Sequence, residues 1–211
     1  MSIYRERAER LRALHQQTEL LVLPNPWDAG SAKMLAALGF HALATTSAGL
    51  AFSLGRRDAE GAVSRDEALA NARAIVEATS LPVVADLENG YGDSPEACAA
   101  TVRVAAQVGL VGGSIEDATG RADEPIYPFE LAVERIRAAV AAARALDIPF
   151  TLTARAENFL HGRPDLHDTI RRLVAYAEAG ADVLYAPGLT SREQIKAVVE
   201  AVAPKPVNVL V

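Results

Sequence analysis

The stretch VVADLENGYGD, residues 83–93, changes character within a few positions. It opens with apolar residues typical of a buried strand and then places two carboxylates, Asp86 and Glu88, two positions apart. Short apolar runs followed by glycine are typical of strands that end at a loop. The sequence therefore predicts a buried strand whose carboxyl end carries acidic side chains.

Seven apolar runs of this kind recur along the chain, and segments with helical apolar spacing separate them. The helical segments begin at serines suited to the N-cap position and end at glycines. Strict alternation of strand and helix predicts a parallel sheet, because parallel neighbours need a helical crossover. The apolar runs span residues 19–26, 41–49, 81–90, 110–117, 149–158, 181–188 and 206–211. The capping serines and terminating glycines are Ser64, Ser94, Ser191, Gly39, Gly109 and Gly180.

The connections between these runs resemble one another. In AALGFHAL, AQVGLVGG and AEAGADVL a helix ends at glycine and the next strand follows at once. This repeated unit favours a (β/α)8 TIM barrel over an open doubly wound sheet. Since a barrel needs eight strands, we expect residues 1–211 to form one barrel domain, truncated after its seventh strand and lacking the C-terminal strand and helices.

Composition excludes several classes of partner. The net charge is −6 and the lysines and arginines are scattered, which predicts no nucleic-acid or membrane partner and favours a small-molecule substrate. The single cysteine, Cys98, excludes an internal disulfide and a cysteine-built zinc site. The N-terminal sequence MSIYRERAERLRALH is no secretory signal, and no apolar run could span a bilayer. We therefore expect a cytoplasmic protein.

Polar residues follow the carboxyl ends of nearly all the predicted strands. In a parallel barrel these ends and the loops after them form the active face. We therefore expect these side chains to converge on one site. They are Asn25, Trp27, Asp28, Thr45, Thr46, Ser47, Asp86, Glu88, Glu116, Asp117, Arg155, Glu157, Asn158, Tyr185 and Asn208.

Three of these residues, Asp86, Glu88 and Glu116, offer a cluster of oxygen ligands. Carboxylates held close together in a dry site repel unless a cation neutralises them. Oxygen-only ligands suit Mg²⁺ or Mn²⁺, which would act as a Lewis acid on a carbonyl or enolate oxygen. Arg155 would place a planar cation opposite the metal, suited to a carboxylate or phosphonate. The alternative is that Asp86 and Glu88 form a solvated strand end.

Five motifs occur in a fixed order along the chain: NPWDAGSAK (25–33), TTSAG (45–49), ADLENGYGD (85–93), GSIED (113–117) and TARAEN (153–158). Together they resemble the isocitrate lyase/phosphoenolpyruvate mutase superfamily. The resemblance covers the chain from about the first predicted strand to its end. It implies a TIM-barrel enzyme whose shared step makes or consumes a pyruvate enolate, in a homo-oligomer that is a dimer or tetramer.

The resemblance also implies catalytic and metal-binding roles for individual residues. Asp86 would ligate Mg²⁺ directly, and Glu88 and Glu116 would hold the waters of the ion. Asp58 would border the site from the loop after the second strand. Arg155 would bind the transferred or leaving group, which makes Asp58, Glu116 and Arg155 the expected catalytic residues.

Substrate-binding residues follow from the same resemblance. Ser47, Ala48 and Gly49 would bind the carboxylate and oxo oxygens of the substrate through backbone amides and the serine hydroxyl. Trp27 would form a wall of the pocket, and Asn158 would join Arg155 in binding the substrate.

Three of these assignments have structural alternatives. His161 lies in a loop on the active face and is either a proton donor or a surface histidine. Arg155 could instead form a structural ion pair with Glu157 or Glu116, since an unpaired buried charge is unfavourable. Trp27 could be a core aromatic under the first helix.

The chain departs from the superfamily at two loops. Isocitrate and methylisocitrate lyases carry a Lys-Lys-Cys-Gly-His type loop where this chain has YGDSPEACAAT, and Cys98 is predicted to lie inside a helix. The mutases use a lysine in the loop after the fourth strand, where ATGRADEPIYP offers only Arg121. We therefore expect cleavage, decarboxylation or hydrolysis of a small 2-oxo or 2-hydroxy dicarboxylate. The alternatives are phosphonopyruvate or phosphoenolpyruvate phosphomutase or hydrolase chemistry and a non-catalytic barrel that binds metal and carboxylate.

Overall fold

The computed structural model describes residues 2–58 and 61–210, which form a curled six-stranded parallel sheet and eight α-helices. The sheet has the order β1-β2-β3-β4-β5-β6. None of the eight helices is long and apolar enough to cross a membrane. The strands are β1 Leu43–Ala44, β2 Val83–Asp86, β3 Gly112–Glu116, β4 Thr151–Arg155, β5 Val183–Tyr185 and β6 Val207–Asn208. The helices are α1 Ile3–His15, α2 Ala29–Ala37, α3 Ser47–Ser53, α4 Arg65–Ala78, α5 Pro95–Gln107, α6 Phe129–Arg144, α7 Leu166–Glu178 and α8 Arg192–Val202.

The predicted helix boundaries are confirmed at both ends. Side chains of Ser64, Ser94 and Ser191 each accept a backbone N–H in the first turn of α4, α5 and α8. The glycines that follow α2, α5 and α7 have φ angles of 91°, 92° and 103°. Glycine adopts this left-handed conformation without a Cβ clash, so each helix stops where the chain must turn toward the next strand.

The prediction of a strand at residues 19–26 is wrong. This segment is not a strand, and its carbonyl at Pro24 accepts one bond of 3.1 Å from the Ala44 backbone N–H. Proline lacks the N–H that a strand donates, so Pro24 and Pro26 prevent a continuous ladder. The Asn25 side-chain amide instead donates to the Ala44 carbonyl at 2.9 Å.

The predicted run 41–49 is also shorter than expected, because only Leu43–Ala44 is a strand. Residues Ser47–Ser53 form α3, which the sequence analysis missed. The Thr46 side chain caps this helix by accepting the Gly49 backbone N–H at 3.2 Å. With six paired strands in the described residues and β1 and β6 at the two edges, the sheet is a curled half barrel with one strand fewer than the seven predicted for the truncated (β/α)8 barrel.

Two glycines in β3 allow close packing of the sheet and its core, as the general rule for strand glycines indicates. A Cβ at Gly112 would lie 2.7 Å from the Thr151 carbonyl oxygen. A Cβ at Gly113 would lie 2.6 Å from the Cδ1 atom of Leu87. The central strand therefore approaches its neighbours more closely than a residue with a side chain would allow.

Strand register aligns polar residues along the carboxyl edge of the sheet. Glu116 in β3 pairs with Arg155 in β4, and Arg155 pairs in turn with Tyr185 in β5. Tyr185 is opposite Asn208 in β6. These residues share one row of a parallel sheet, so their side chains lie at the same level.

Candidate active site

The centre of this edge is Arg155, whose three guanidinium nitrogens each meet a different carboxylate. Nη1 lies 3.2 Å from Asp86 Oδ1, and Nη2 lies 3.3 Å from Glu116 Oε2. Nε donates a bond of 2.8 Å to Glu157 Oε1. All four side chains are largely buried, with the Glu157 side chain 2% exposed. The structural pairs considered for Arg155 from the sequence are thus both present, and a third, to Asp86, joins them.

Asp86 is held as an anion by its neighbours. Its Oδ2 atom accepts the Ser47 hydroxyl at 2.9 Å and the Ser47 backbone N–H at 3.3 Å, and its Oδ1 atom accepts the Glu88 backbone N–H at 3.1 Å. Burial alone would raise the pKa of the Asp86 carboxyl. The charge of Arg155 and these hydrogen bonds outweigh burial and hold the pKa below its ordinary value.

Burial and the neighbouring carboxylates disfavour the ionised form of the other two acids of the predicted metal cluster. Burial, with the charges of Asp86 and Asp58, raises the pKa of Glu88 to about 7. Burial raises the pKa of Glu116 well above its ordinary range, although Arg155 opposes the shift. One guanidinium therefore does not neutralise the group, and a further cation beside it would be favourable.

The backbone after β2 is strained where it delivers these side chains. Glu88 and Tyr91 have φ angles of 47° and 58°, in the left-handed region that residues with side chains rarely adopt. Such strain persists only where surrounding structure enforces it, and it concentrates at functional sites. This turn holds the Glu88 side chain close to Asp86, although only one residue separates them in the sequence.

The arrangement fits a divalent ion that keeps most of its water. Among the described residues, no three His, Cys, Asp or Glu side chains are grouped closely enough to hold a metal ion by themselves. The donors are carboxylate oxygens, and Asp86 is ionised. Mg²⁺ accepts one or two protein carboxylates and retains several waters, so this hard, under-neutralised group suits it.

Trp27 and the start of α3 lie against each other beside Asp86. A Cβ at Gly49 would fall 2.4 Å from the Cδ1 atom of Trp27, so the indole packs directly on this glycine. Trp27 is 48% exposed, and the alternative that it is a core aromatic is therefore wrong. Ser47 and Ala48 form the first turn of α3 and not the end of the strand run predicted over residues 41–49.

The remaining predicted residues occupy different surroundings. Asp58, after α3, is close enough to contribute to the raised pKa of Glu88. His161 donates its backbone N–H to the Glu157 carbonyl at 3.2 Å, and burial lowers the pKa of its imidazole. The buried Asn158 side-chain amide donates to Asp168 of α7 at 2.9 Å. This hydrogen bond joins Asn158 to α7.

A buried polar cluster behind Glu157 was missed. Asp117 Oδ1 accepts the Glu157 backbone N–H at 2.8 Å. Its Oδ2 accepts Arg172 Nη1 at 3.0 Å and the Tyr176 hydroxyl at 2.7 Å. Arg172 and Tyr176 share the buried face of α7 with Thr169 and Leu173. An arginine within an apolar stripe requires a buried partner, and this signal was available in the sequence.

A cavity of about 560 Å³ opens beside Glu88 and Glu116. Its wall also includes Asn89, Tyr91 and Thr119 from the loops after β2 and β3. This volume is within the range of small-molecule sites, roughly 300–1,000 Å³. The acidic group therefore adjoins space for a ligand.

Comparison with known proteins identifies the chain. The family model described as phosphoenolpyruvate phosphomutase matches residues 11–211. The chain belongs to this family. The resemblance to the isocitrate lyase/phosphoenolpyruvate mutase superfamily is confirmed, since a solved 2,3-dimethylmalate lyase described as a member of that superfamily superposes on the chain with a TM-score of 0.86.

Members of this family that resemble the chain carry out several reactions. A candidate lyase/mutase from Burkholderia cenocepacia J2315 is 60% identical, covers 100% of this chain and 75% of its own, and has a TM-score of 0.97. The 2,3-dimethylmalate lyase of Eubacterium barkeri is 31% identical over 92% of this chain and 68% of its own. Oxaloacetate acetylhydrolase, solved with its product oxalate, is 34% identical to this chain, with a TM-score of 0.87. The match covers 96% of this chain and 70% of the acetylhydrolase chain.

Magnesium is present in one family structure. Phosphonopyruvate hydrolase, solved with oxalate and Mg²⁺, is 26% identical to the chain, with a TM-score of 0.86. It covers 97% of this chain and 71% of its own. The relatives thus include lyases, hydrolases and mutases, and the phosphonopyruvate hydrolase among them is solved in complex with oxalate and Mg²⁺.

Proposed function

We propose that this protein is a Mg²⁺-dependent enzyme that breaks a carbon-carbon bond in a small 2-oxo or 2-hydroxy dicarboxylate. The single observation that carries the proposal is the group formed by Asp86, Glu88, Glu116 and Arg155 at the carboxyl ends of β2, β3 and β4. It combines oxygen ligands for a hard cation with a guanidinium suited to a carboxylate.

Each residue has a defined task in this proposal. Asp86 would bind Mg²⁺, with Glu88 and Glu116 holding its waters, and the ion would polarise the oxo and carboxylate oxygens of the substrate. Ser47 to Gly49 would stabilise the developing enolate oxygen. Arg155 would orient the departing carboxylate, and Trp27 would wall the pocket and exclude water. Asp58 would border the site beside Glu88.

Decarboxylation of a 2-oxo dicarboxylate illustrates the balance of the step. The bond between C3 and C4 breaks, its electron pair forms the enolate C2–C3 double bond, and the C2 oxygen takes the negative charge. Carbon dioxide leaves, and a proton then adds to C3 to give the 2-oxo monocarboxylate. His161 is the candidate donor of that proton in its protonated imidazolium form, which burial disfavours by lowering its pKa, and it would take a replacement proton from water.

Two other reactions of the superfamily have less support. Cys98 is buried in α5 and burial raises the pKa of its thiol, which opposes a cysteine-dependent lyase reaction. Arg121, the cation in the loop after β3, pairs with Asp93 at 3.0 Å and Glu124 at 3.1 Å. A guanidinium engaged in this way is poorly placed for phosphoryl transfer, so phosphonopyruvate chemistry is the second candidate.

The experiment is incubation of the protein with Mg²⁺ and, in turn, oxaloacetate, phosphonopyruvate, 2-methylisocitrate and 2,3-dimethylmalate. Pyruvate is followed by coupled lactate dehydrogenase, and acetate and oxalate are measured separately with oxaloacetate. Controls are EDTA, omission of protein and the Asp86→Asn variant. We expect EDTA-sensitive turnover of one dicarboxylate. If the protein binds Mg²⁺ but turns over none of the four acids, the result would support the non-catalytic barrel instead.

A further inference from the structure

Arg155 forms ion pairs with two of the carboxylates that the proposed function assigns to the Mg²⁺ site. Its Nη1 and Nη2 atoms lie 3.2 Å from Asp86 and 3.3 Å from Glu116. We propose that Arg155 is an internal counter-ion that competes with the divalent cation for these carboxylates and thereby weakens metal binding. This inference rests on the proposed function, because it takes Asp86 and Glu116 as metal-site residues.

Geometry allows the guanidinium to release these two acids without leaving the site. The third nitrogen, Nε, is bonded to Glu157 at 2.8 Å, and Glu157 is almost fully buried. The Glu157 backbone is fixed in turn by Asp117, which accepts its N–H at 2.8 Å. Glu157 therefore anchors the arginine while its two outer nitrogens exchange partners.

Charge makes the competition unavoidable. A guanidinium and a divalent cation sharing the same buried carboxylates repel each other, and both gain from the same negative charge. Each must therefore weaken the binding of the other, since coupling between two sites is reciprocal. Removal of the Arg155 charge leaves Asp86 and Glu116 unneutralised and increases their attraction for a metal ion.

The exchange also supplies an order of events. When a cation takes over Asp86 and Glu116, the Nη1 and Nη2 atoms of Arg155 lose their partners while Nε keeps Glu157. These two nitrogens present a planar fork suited to a carboxylate. Metal binding would thus prepare Arg155 to receive the substrate, so that the cation binds first.

The test is calorimetric titration of Mg²⁺ into the wild-type protein and the Arg155→Gln variant, without substrate. We expect Arg155→Gln to bind Mg²⁺ about 5- to 150-fold more tightly, the usual range of coupling between two sites. The matched control is Arg144→Gln, which removes an arginine paired with Asp182 at 2.7 Å, outside the carboxylate group. Its Mg²⁺ affinity should equal that of the wild type. Equal or weaker Mg²⁺ binding by Arg155→Gln would overturn the inference.

Arg155→Lys covers the case in which Arg155→Gln does not fold. The lysine keeps one positive charge but cannot meet three carboxylates, so its Mg²⁺ affinity should lie above that of the wild type. Unchanged affinity in a folded Arg155→Lys protein would also contradict the competition. Failure of all folded variants and of the wild type to bind Mg²⁺ would instead overturn the proposed function, and the inference with it.

Discussion

The Ser47 hydroxyl donates a hydrogen bond of 2.9 Å to Asp86 Oδ2, which joins the first residue of α3 to the carboxyl end of β2. The Ser47 backbone N–H reaches the same oxygen at 3.3 Å. The segment that the superfamily resemblance assigns to the substrate therefore also orients the carboxylate assigned to the metal. Substrate and metal residues form one connected unit.

Ser47→Ala tests this connection. Loss of the hydroxyl removes the shorter of the two hydrogen bonds that Ser47 donates to Asp86, and such supporting contacts typically change metal affinity about 10- to 100-fold. We expect Mg²⁺ affinity, measured by calorimetry, to fall within that range. Ser53→Ala is the matched control, because Ser53 bonds the Leu50 carbonyl within the same helix. Equal Mg²⁺ affinity in Ser47→Ala and Ser53→Ala would contradict the assignment.

Gly49→Ala should displace Trp27. The added Cβ would lie 2.4 Å from the indole, and a contact this short forces the ring to move. Trp27 is the single tryptophan of the chain, so its fluorescence reports the displacement directly. We expect a shifted emission maximum in Gly49→Ala and an unchanged one in Gly30→Ala, whose Cβ would meet only a side-chain oxygen at 3.3 Å. Identical emission from the two variants would show that the ring does not rest on Gly49.

Asp117→Asn should lower the free energy of unfolding by about 2 kcal/mol, because it removes the carboxylate charge 3.0 Å from the buried Arg172 guanidinium, which keeps only Asp168, at 2.8 Å, as a carboxylate partner. Urea denaturation measures the change. Glu200→Gln is the control, since it breaks an exposed pair with Lys196 and should change the free energy of unfolding by less than about 0.5 kcal/mol. A loss equally small in Asp117→Asn would mean that the cluster behind Glu157 contributes little to stability.

The lowered pKa of the Glu67 carboxyl predicts that the stability of the protein depends on pH in a specific way. Hydrogen bonds from Ser64, with a smaller contribution from Arg56, lower the pKa of the Glu67 carboxyl to about 2 from an unfolded value of 4.5. A lowered pKa stabilises the folded state above the unfolded pKa, and this contribution disappears as the pH falls from 4.5 toward 2. The wild type should therefore exceed Glu67→Gln in stability at pH 7, with the difference shrinking below pH 4.5. A difference independent of pH in denaturation experiments would refute this origin.

Local signals in the sequence predicted most of the helices and the edge of the sheet at which the candidate site residues lie. Serine caps and glycine stops determine helix ends through contacts within one turn, so they are visible in the chain itself. Alternation of strands and helices determined the parallel order, and parallel order places Asp86, Glu116 and Arg155 at one edge. These conclusions needed no knowledge of distant contacts.

Other features depend on contacts that a pattern does not reveal. The segment SAGLAFS lies after a strand and is built from small and apolar residues, so α3 could not be told from a continuing strand. The apolar run at 19–26 suggested a strand, although Pro24 and Pro26 lack the N–H groups for a ladder. The three-way pairing of Arg155 depends on register between strands and on a turn with positive φ at Glu88.

The most direct test is a calorimetric measurement of Mg²⁺ binding by the wild-type protein and by the Asp86→Asn variant. Substitution by asparagine keeps the shape of the side chain and removes the charge that the ion requires. The account predicts that the wild type binds one Mg²⁺ and that Asp86→Asn loses this binding and all metal-dependent turnover. Equal Mg²⁺ affinity in both proteins, or normal turnover by Asp86→Asn, would contradict it.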